Sequence, residues 1–386
     1  MKSHVTSNRR SHKHIHSLWW SSVERTRMSM YVRKKKSKNV TKQLPLEEDS
    51  ENIYIRKKRT IRSNCGVRKQ TVAPKEGEGI TPLATQCINE YVDRVLRIGV
   101  EGLKREFRSI SSYRCPNDIY KYDAFNQNLN RNRYYDIVCL DATRVHLTHD
   151  VPPSTEYIHA NWVKFEKHDQ TYIMTQAPLE NTIGDFWRMI FQETCPTVIN
   201  LTQQIENEQM KSVLYWPEHG GNFKTYDRMF VNTKKVDHEG EISIYTIEVL
   251  PEGCSNSHIV KLIHMVTWPD KGIPPSGRHV LRVLKKLVAN SSDRGPVVVH
   301  CSAGTGRAGC IVLIDVILGY LFSGRQVDMV ELFKQLRNQR ASAIHIDIMY
   351  AFIAYGVLDY IRAKLPAQFK DKTKGFIQQF KTMQTD

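Results

Sequence analysis

Residues 296–318, PVVVHCSAGTGRAGCIVLIDVIL, decide how this chain is read. PVVVH is a short apolar run with a β-branched majority, the composition of a buried strand. The run that begins at Cys310, CIVLIDVILGYLF, is apolar for longer than a strand needs, and its length predicts a helix. Between them CSAGTGRAG opens on a cysteine, turns through Gly304 and Gly306, and carries Arg307 six residues after the cysteine. A strand, a tight glycine-containing loop and a helix N-terminus make an anion site. Backbone N–H groups point inward and the helix dipole favours negative charge. The two glycines permit close backbone approach and unusual φ.

A thiol placed at the start of such a loop is favoured as its thiolate by the same field. Arg307 supplies a planar fork that grips two phosphoryl oxygens. Cys301 can then attack phosphorus to give a cysteinyl phosphate. The turn residues Ser302, Ala303, Gly304, Thr305 and Gly306 are expected to line the anion. His300 is expected to hydrogen-bond nearby backbone and to support the thiolate electrostatically. The plain alternative is a buried cysteine in a loop with incidental glycine and arginine, because Cys-x5-Arg alone occurs by chance. The preceding strand, the following helix, the histidine and the two glycines together favour the chemical reading.

The chain has 386 residues, enough for one or two domains, and 40% of them are apolar. The net charge of +16 is unevenly spread: residues 1–70 hold 19 Lys+Arg against 5 Asp+Glu, and the rest is nearly balanced. Residues 1–84, rich in Lys, Arg, Ser and Asn, are expected to be a basic, disordered tail. A single domain is expected over 85–365 and a short basic tail, helical or disordered, over 366–386. Eight cysteines without a CxxC pair argue against a disulfide framework and a zinc site, and no metal or cofactor is expected. No apolar run reaches the ~18 residues of a membrane span, and the polar, basic first residues lack a secretory core. A soluble, cytoplasmic monomer is the expectation, with no stable nucleic-acid or membrane partner. The clusters RKKK (33–36) and RKKR (56–59) leave nuclear import, a membrane surface or a nucleic-acid contact open, beside a merely solvated tail.

Ile88, Tyr91, Val92 and Val95 open the domain at helical spacing. The runs TYIMTQ, PTVINLTQ, ISIYTIEVL, HIVKLIHMVTW and PVVVH read as strands. Thr182 followed by Asp185 resembles a capping box, ahead of a helix with Phe186, Met189 and Ile190 on its apolar face. Met329, Leu332, Phe333 and Leu336 form another helical stripe, and DIMYAFIAYGVLDYIRAKL closes the domain as a helix. Helices intermixed with strands imply a layered α/β fold.

VHCSAGTGRAG resembles the signature loop of the protein tyrosine phosphatases, cysteine-dependent and metal-free, and the likeness, taken as that of a non-receptor type, extends over about residues 88–363. It implies a highly twisted mixed β-sheet flanked by helices, in one catalytic domain. VTWPDKG resembles the family's mobile loop, which implies that Asp270 protonates the leaving tyrosyl oxygen and later acts as base toward water. NRNRYYDIVCLDATRVHL resembles the phosphotyrosine-recognition loop: Tyr134 stands where a ring packs against the substrate ring, and Asp136 where a carboxylate holds the peptide backbone. TQAPLENTIGDFW and EYIHANWV resemble scaffold segments, with Ala177 in place of Gly and His159 in place of Asn. In LTQQIENEQMKSVLYWP, Glu206 aligns with a glutamate that pairs with the signature arginine, and Lys211 with a lysine that reaches toward the closed acid loop. The implied activity is dephosphorylation of phosphotyrosine-containing proteins in signalling.

Four further positions depart from the family's pattern. Ala308 replaces a Ser or Thr whose hydroxyl supports the departing thiolate; His345 replaces a Gln that positions the hydrolytic water; Met349 replaces a second Gln; Lys271 replaces an aromatic residue after Asp270. These changes fall on breakdown of the intermediate more than on its formation, so a slow second step is expected. The alternative is a phosphatase-like module that binds phosphotyrosine proteins without turning them over. A dual-specificity enzyme fits less well, because the depth-setting NRYYD loop is present.

Overall fold

A computed structural model of the chain describes residues 80–269, 272–274, 277–289 and 295–382. The expected tail up to residue 79, and with it both basic clusters, lies outside the described residues, as do Asp270 and Lys271. The strands are β1 (Arg144–His146), β2 (Tyr157–Val163), β3 (Tyr172–Thr175), β4 (Thr197–Asn200), β5 (Ile205–Glu206), β6 (Gln209–Met210), β7 (Phe223–Tyr226), β8 (Met229–Glu239), β9 (Ile242–Pro251), β10 (His258–Met265) and β11 (Val297–His300). The helices are α1 (Pro82–Ile110), α2 (Asp123–Gln127), α3 (Ile183–Gln192), α4 (Gly277–Ala289), α5 (Gly306–Phe322), α6 (Met329–Arg337), α7 (Asp347–Lys364), α8 (Pro366–Phe369) and α9 (Lys374–Thr382).

Nine strands form one mixed sheet in the order β1-β2-β3-β11-β4-β10-β9-β8-β7. The four central strands β3, β11, β4 and β10 run parallel, and antiparallel strands extend the sheet on both sides. The expected α/β fold, a mixed sheet flanked by helices, is what forms. The centre is apolar on both faces because successive strand residues point to opposite sides. Val297 and Val299 of β11 join the core beneath α1, α5 and α7, whereas Val298 joins the core on the α3 side. Val198 and Ile199 of β4 divide in the same way. α5 is apolar nearly all round because it is enclosed between the sheet and other helices. No helix among the described residues is long and apolar enough to cross a membrane.

The five apolar runs expected as strands are β3, β4, β9, β10 and β11, and the expected helical stripes are buried faces of α1, α3 and α6. Two expectations change and a third narrows. α1 starts at Pro82, three residues early, because Thr81 caps it by accepting the Ala84 N–H and proline suits a first helical position. Thr182 and Asp185 form no capping box: the Thr182 hydroxyl bonds the Leu179 backbone, and Asp185 pairs with Arg131 and Arg188. Residues 366–382, expected as a basic tail either helical or disordered, take the helical alternative and pack on the domain. They form α8 and α9, and Phe369, Phe376, Ile377 and Phe380 are buried in the main core. The lysines that made this segment look basic alternate with an apolar stripe, so it is amphipathic.

Candidate active site

The parallel strands β3, β4 and β11 end side by side, with His300 in register with Thr175 and Asn200. Beyond His300 the chain turns through residues 301–305 into α5. Five successive carbonyls in this turn are held by the scaffold. His300 Nδ1 donates to the Cys301 carbonyl (3.2 Å) and the Ala177 N–H to that of Ser302 (2.9 Å). Arg340 donates to Ala303 (2.8 Å) and Gly304 (3.1 Å), and the Gly309 and Ile344 N–H groups donate to Thr305. In a trans peptide the N–H points opposite to its C=O. The N–H groups of residues 302–306 therefore point away from these partners, the orientation an anion cradle uses. Gly304 has φ +68°, and a Cβ there would lie 1.9 Å from the Thr175 carbonyl oxygen, so only glycine fits this point of the turn.

Cys301 is 3% exposed at the base of the turn. Arg307, equally buried, donates from Nη1 to Glu206 Oε1 (2.7 Å) and from Nη2 to Glu206 Oε2 (3.0 Å). Nη1 also donates to the carbonyls of Leu201 (3.0 Å) and Trp268 (2.9 Å). Glu206 is aimed by the β5–β6 hairpin, whose turn residues Asn207 and Glu208 both have positive φ. The same carboxylate accepts the Thr202 hydroxyl and the Gln203 N–H. Lys211 follows the hairpin; its carbonyl accepts the Ser302 hydroxyl (2.9 Å), and its ammonium donates to Gln209 (3.1 Å).

His300 is wholly buried, and burial pushes its pKa down to about 3, aided by the nearby Arg133 and Arg307 charges. The ring is therefore neutral. Since Nδ1 donates to Cys301, Nε2 accepts the Tyr215 hydroxyl (2.7 Å), which defines the tautomer. His300 thus orients the base of the turn and brings no full positive charge. Burial pushes the thiols of Cys139 and Cys310 up, so these neighbours stay protonated.

Tyr134 is half-buried, and its hydroxyl donates to Ser302 Oγ (2.8 Å), whose own proton goes to Lys211. This loop is pinned from below: the Arg133 guanidinium donates to the carbonyls of Ala177 and Pro178, and its N–H to Gln176 Oε1. Asp136 is exposed on the same loop. Met349 and His345 lie against the first turn of α5, because a Cβ on Gly306 would meet His345 Cε1 at 2.7 Å and Met349 Sδ at 2.9 Å. Ala308 is wholly buried. The Trp268 carbonyl reaches Arg307 and its indole N–H donates to Gly272 (3.0 Å); Asp270, between them in sequence, lies outside the described residues.

The structure therefore brings Cys301, Ser302–Arg307, His300, Glu206, Lys211, Tyr134 and His345 around one turn. Sequence reasoning missed Arg340. This wholly buried side chain holds two of the turn's carbonyls and also donates to Asn161 Oδ1 (2.7 Å) and His159 Nδ1 (3.1 Å). It explains the histidine at 159: burial and the Arg340 charge hold that ring neutral, with its pKa down at about 3, so that Nε2 donates to the Ile137 carbonyl while Nδ1 accepts from Arg340. Arg133 and Tyr215 were missed too.

The family model described as Protein-tyrosine phosphatase matches residues 128–359. Among similar proteins, receptor-type tyrosine-protein phosphatase epsilon of Rattus norvegicus is 35% identical over 284 residues, 70% of this chain and 40% of that protein. Receptor-type tyrosine-protein phosphatase F of Rattus norvegicus is 32% identical over 279 residues, 70% of this chain and 14% of that protein. Receptor-type tyrosine-protein phosphatase alpha of Homo sapiens is 29% identical over 295 residues, 75% of this chain and 36% of that protein. The chain thus spans well under half the length of these relatives, and their receptor-type names lend no support to the expected non-receptor type.

Proposed function

Because the chain belongs to the protein-tyrosine phosphatase family, we propose that it hydrolyses phosphotyrosine in proteins through a cysteinyl-phosphate intermediate. The observation that carries this reading is the turn with all five carbonyls tied outward, Cys301 at its base and Arg307 braced by Glu206 at its end. In the first step the Cys301 thiolate forms the S–P bond as the bond from phosphorus to the tyrosyl oxygen breaks. The leaving oxygen takes its proton from Asp270. The inward N–H groups and Arg307 hold the non-bridging oxygens as charge builds on them. In the second step water attacks phosphorus, gives its proton to Asp270, and returns the S–P electron pair to Cys301. Tyr134 lines the pocket wall, which favours a long aryl phosphate over a short alkyl one, and Asp136 meets the peptide backbone.

The second step is the slower one in this reading. Ala308 has no hydroxyl to support the departing thiolate, and Met349, packed on the first turn of α5, has no donor and offers a water only a weak thioether acceptor. His345 beside it can hydrogen-bond a water. Rapid-quench kinetics with a phosphotyrosine peptide test both claims. A stoichiometric burst followed by slower turnover is expected, and Cys301→Ser should abolish both phases. Linear turnover without accumulated phosphoenzyme would remove the slow step. Tight peptide binding without any product would replace the enzyme by a phosphotyrosine-binding module.

A further inference from the structure

Five buried side-chain N or O atoms have no hydrogen-bond partner among the described residues, and one of them, Thr305 Oγ1, lies in the phosphate turn. Thr305 is wholly buried. A buried polar atom in a native structure is nearly always paired, and valine would fill the same space with no hydroxyl to satisfy. The nearest ready partners are not used. Thr305 is the N-cap of α5, where a threonine oxygen ordinarily accepts an N–H from the first turn, yet its side chain makes no such bond. The hydroxyl proton and both lone pairs are thus unspent. Against the backbone of this residue lies the segment that carries His345. The Ile344 N–H donates to the Thr305 carbonyl (3.3 Å), and Arg337 fixes the same segment by donating to the carbonyls of Ala343 (2.9 Å) and Ile344 (2.8 Å). His345 comes next, and its ring lies over Gly306, the residue after Thr305: a Cβ on Gly306 would be 2.7 Å from Cε1 and 3.2 Å from Nδ1. His345 is also exposed, so its ring meets both the turn and solvent.

We propose that the Thr305 hydroxyl takes its partner during the second step, donating to Nδ1 of His345, and so fixes the ring that holds the hydrolytic water. The inference rests on the phosphatase reading above. A neutral imidazole has one donor nitrogen and one acceptor. With Nδ1 accepting from Thr305, the ring proton sits on Nε2, which donates to the water oxygen. That oxygen keeps a lone pair for phosphorus, and the water proton and the S–P electron pair go as in the second step described above. Without the hydroxyl that tautomer loses its support, and the water its fixed position. Thr305 is therefore a positioning residue: it acts through His345, and formation of the S–P bond does not call on its hydroxyl.

Rapid-quench kinetics on the full chain with a phosphotyrosine peptide separate the two steps. Thr305→Val should slow the steady phase by about tenfold, the rate equivalent of one neutral hydrogen bond, while the burst phase changes far less. Thr305→Ser, which keeps the hydroxyl, should restore steady turnover. In a His345→Phe background Thr305→Val should have no further effect, because the two residues act as a unit. The urea midpoint of Thr305→Val should be at or above that of wild type, since an unpaired buried hydroxyl has been removed. A merely structural threonine gives the opposite pattern, a lower midpoint with both phases reduced alike. Steady turnover unchanged in Thr305→Val, or the full loss retained in the His345→Phe background, overturns the inference. If wild-type turnover is linear, the slow step fails by itself; the acid-trapped phosphoenzyme should then still rise about tenfold in Thr305→Val, and a level equal to wild type overturns the inference. A wild type that forms no product would strike the catalytic reading itself, and the inference falls with it.

Discussion

Replacing Arg340 with methionine keeps an unbranched side chain but removes every donor. Its guanidinium makes four hydrogen bonds: to the Gly304 carbonyl at 3.1 Å, the Ala303 carbonyl at 2.8 Å, Asn161 Oδ1 at 2.7 Å and His159 Nδ1 at 3.1 Å. A buried acceptor stripped of its donor costs about 1–3 kcal/mol, so the two turn carbonyls alone account for about 2–6 kcal/mol. Part of this is offset, because the guanidinium itself is wholly buried and burial penalises its charge. A net loss of about 3 kcal/mol in stability is expected, read from urea denaturation. The effect on activity has a different origin. Freed carbonyls can relieve themselves by rotating their peptides, which would aim oxygen instead of N–H at the phosphate. Loss of about 2.7 kcal/mol of oxyanion stabilisation corresponds to roughly a hundredfold fall in kcat/KM for p-nitrophenyl phosphate, with inhibition by inorganic phosphate weakened in parallel. A folded Arg340→Met enzyme with wild-type kcat/KM and phosphate inhibition would refute the claim that this arginine shapes the anion cradle.

Gly304→Ala combines a φ of +68° with a Cβ 1.9 Å from the Thr175 oxygen, so the turn must deform; phosphate binding measured by calorimetry should fall by an order of magnitude or more, since strain at such a position costs about 1–3 kcal/mol. His159 and His300 are held near pKa 3 against an ordinary 6.5, so below about pH 6.5 the unfolded chain binds more protons than the folded one. Stability should therefore fall as the pH drops from 6.5 toward 3, by about 1.4 kcal/mol per pH unit for each histidine; urea titrations at pH 7 and 5 that coincide would contradict this. Phe380→Ala removes a wholly buried ring stacked 4.6 Å from Tyr355. It should cost about 3–5 kcal/mol in thermal or urea unfolding, whereas a loss below about 0.5 kcal/mol is what a loose tail would show.

What could be read in advance follows from burial. β3, β4, β10 and β11 are central strands, and their apolar runs stand out. β2 (YIHANWV) and β8 (MFVNTKKVDHE) carry histidine, asparagine and lysine among their apolar residues, and neither shows a plain period. β8 is half in solvent, and in β2 the polar side chains are buried because Arg340 and the Leu140 carbonyl satisfy them. The signature turn was legible because its chemistry is local: cysteine, glycines and arginine lie within seven residues. Glu206 and Lys211 needed the family resemblance, since a glutamate and a lysine near a hairpin are ordinarily solvated. Arg340 carried no signal. It stands in a polar run, LRNQRASA, where an arginine is more often in water, and its role exists only once β2 and the turn have met. For the C-terminal segment helix and disorder both stayed open, because its composition is basic while its spacing is amphipathic.

The strand ends that gather the site, at Thr175, Asn200 and His300, come from distant parts of the chain. Parallel neighbours cannot be joined by a tight hairpin, and in the β4–β11 pair the whole of β5 to β10 and α4 intervenes. Contacts of such long sequence separation close late and slowly, after the entropy of the intervening chain has been overcome. The cradle at residues 301–307 is thus a product of completed folding, with no local precursor. Its peptide alone should have no affinity for phosphate, and during refolding phosphatase activity should return with the slowest phase, behind the recovery of helical signal.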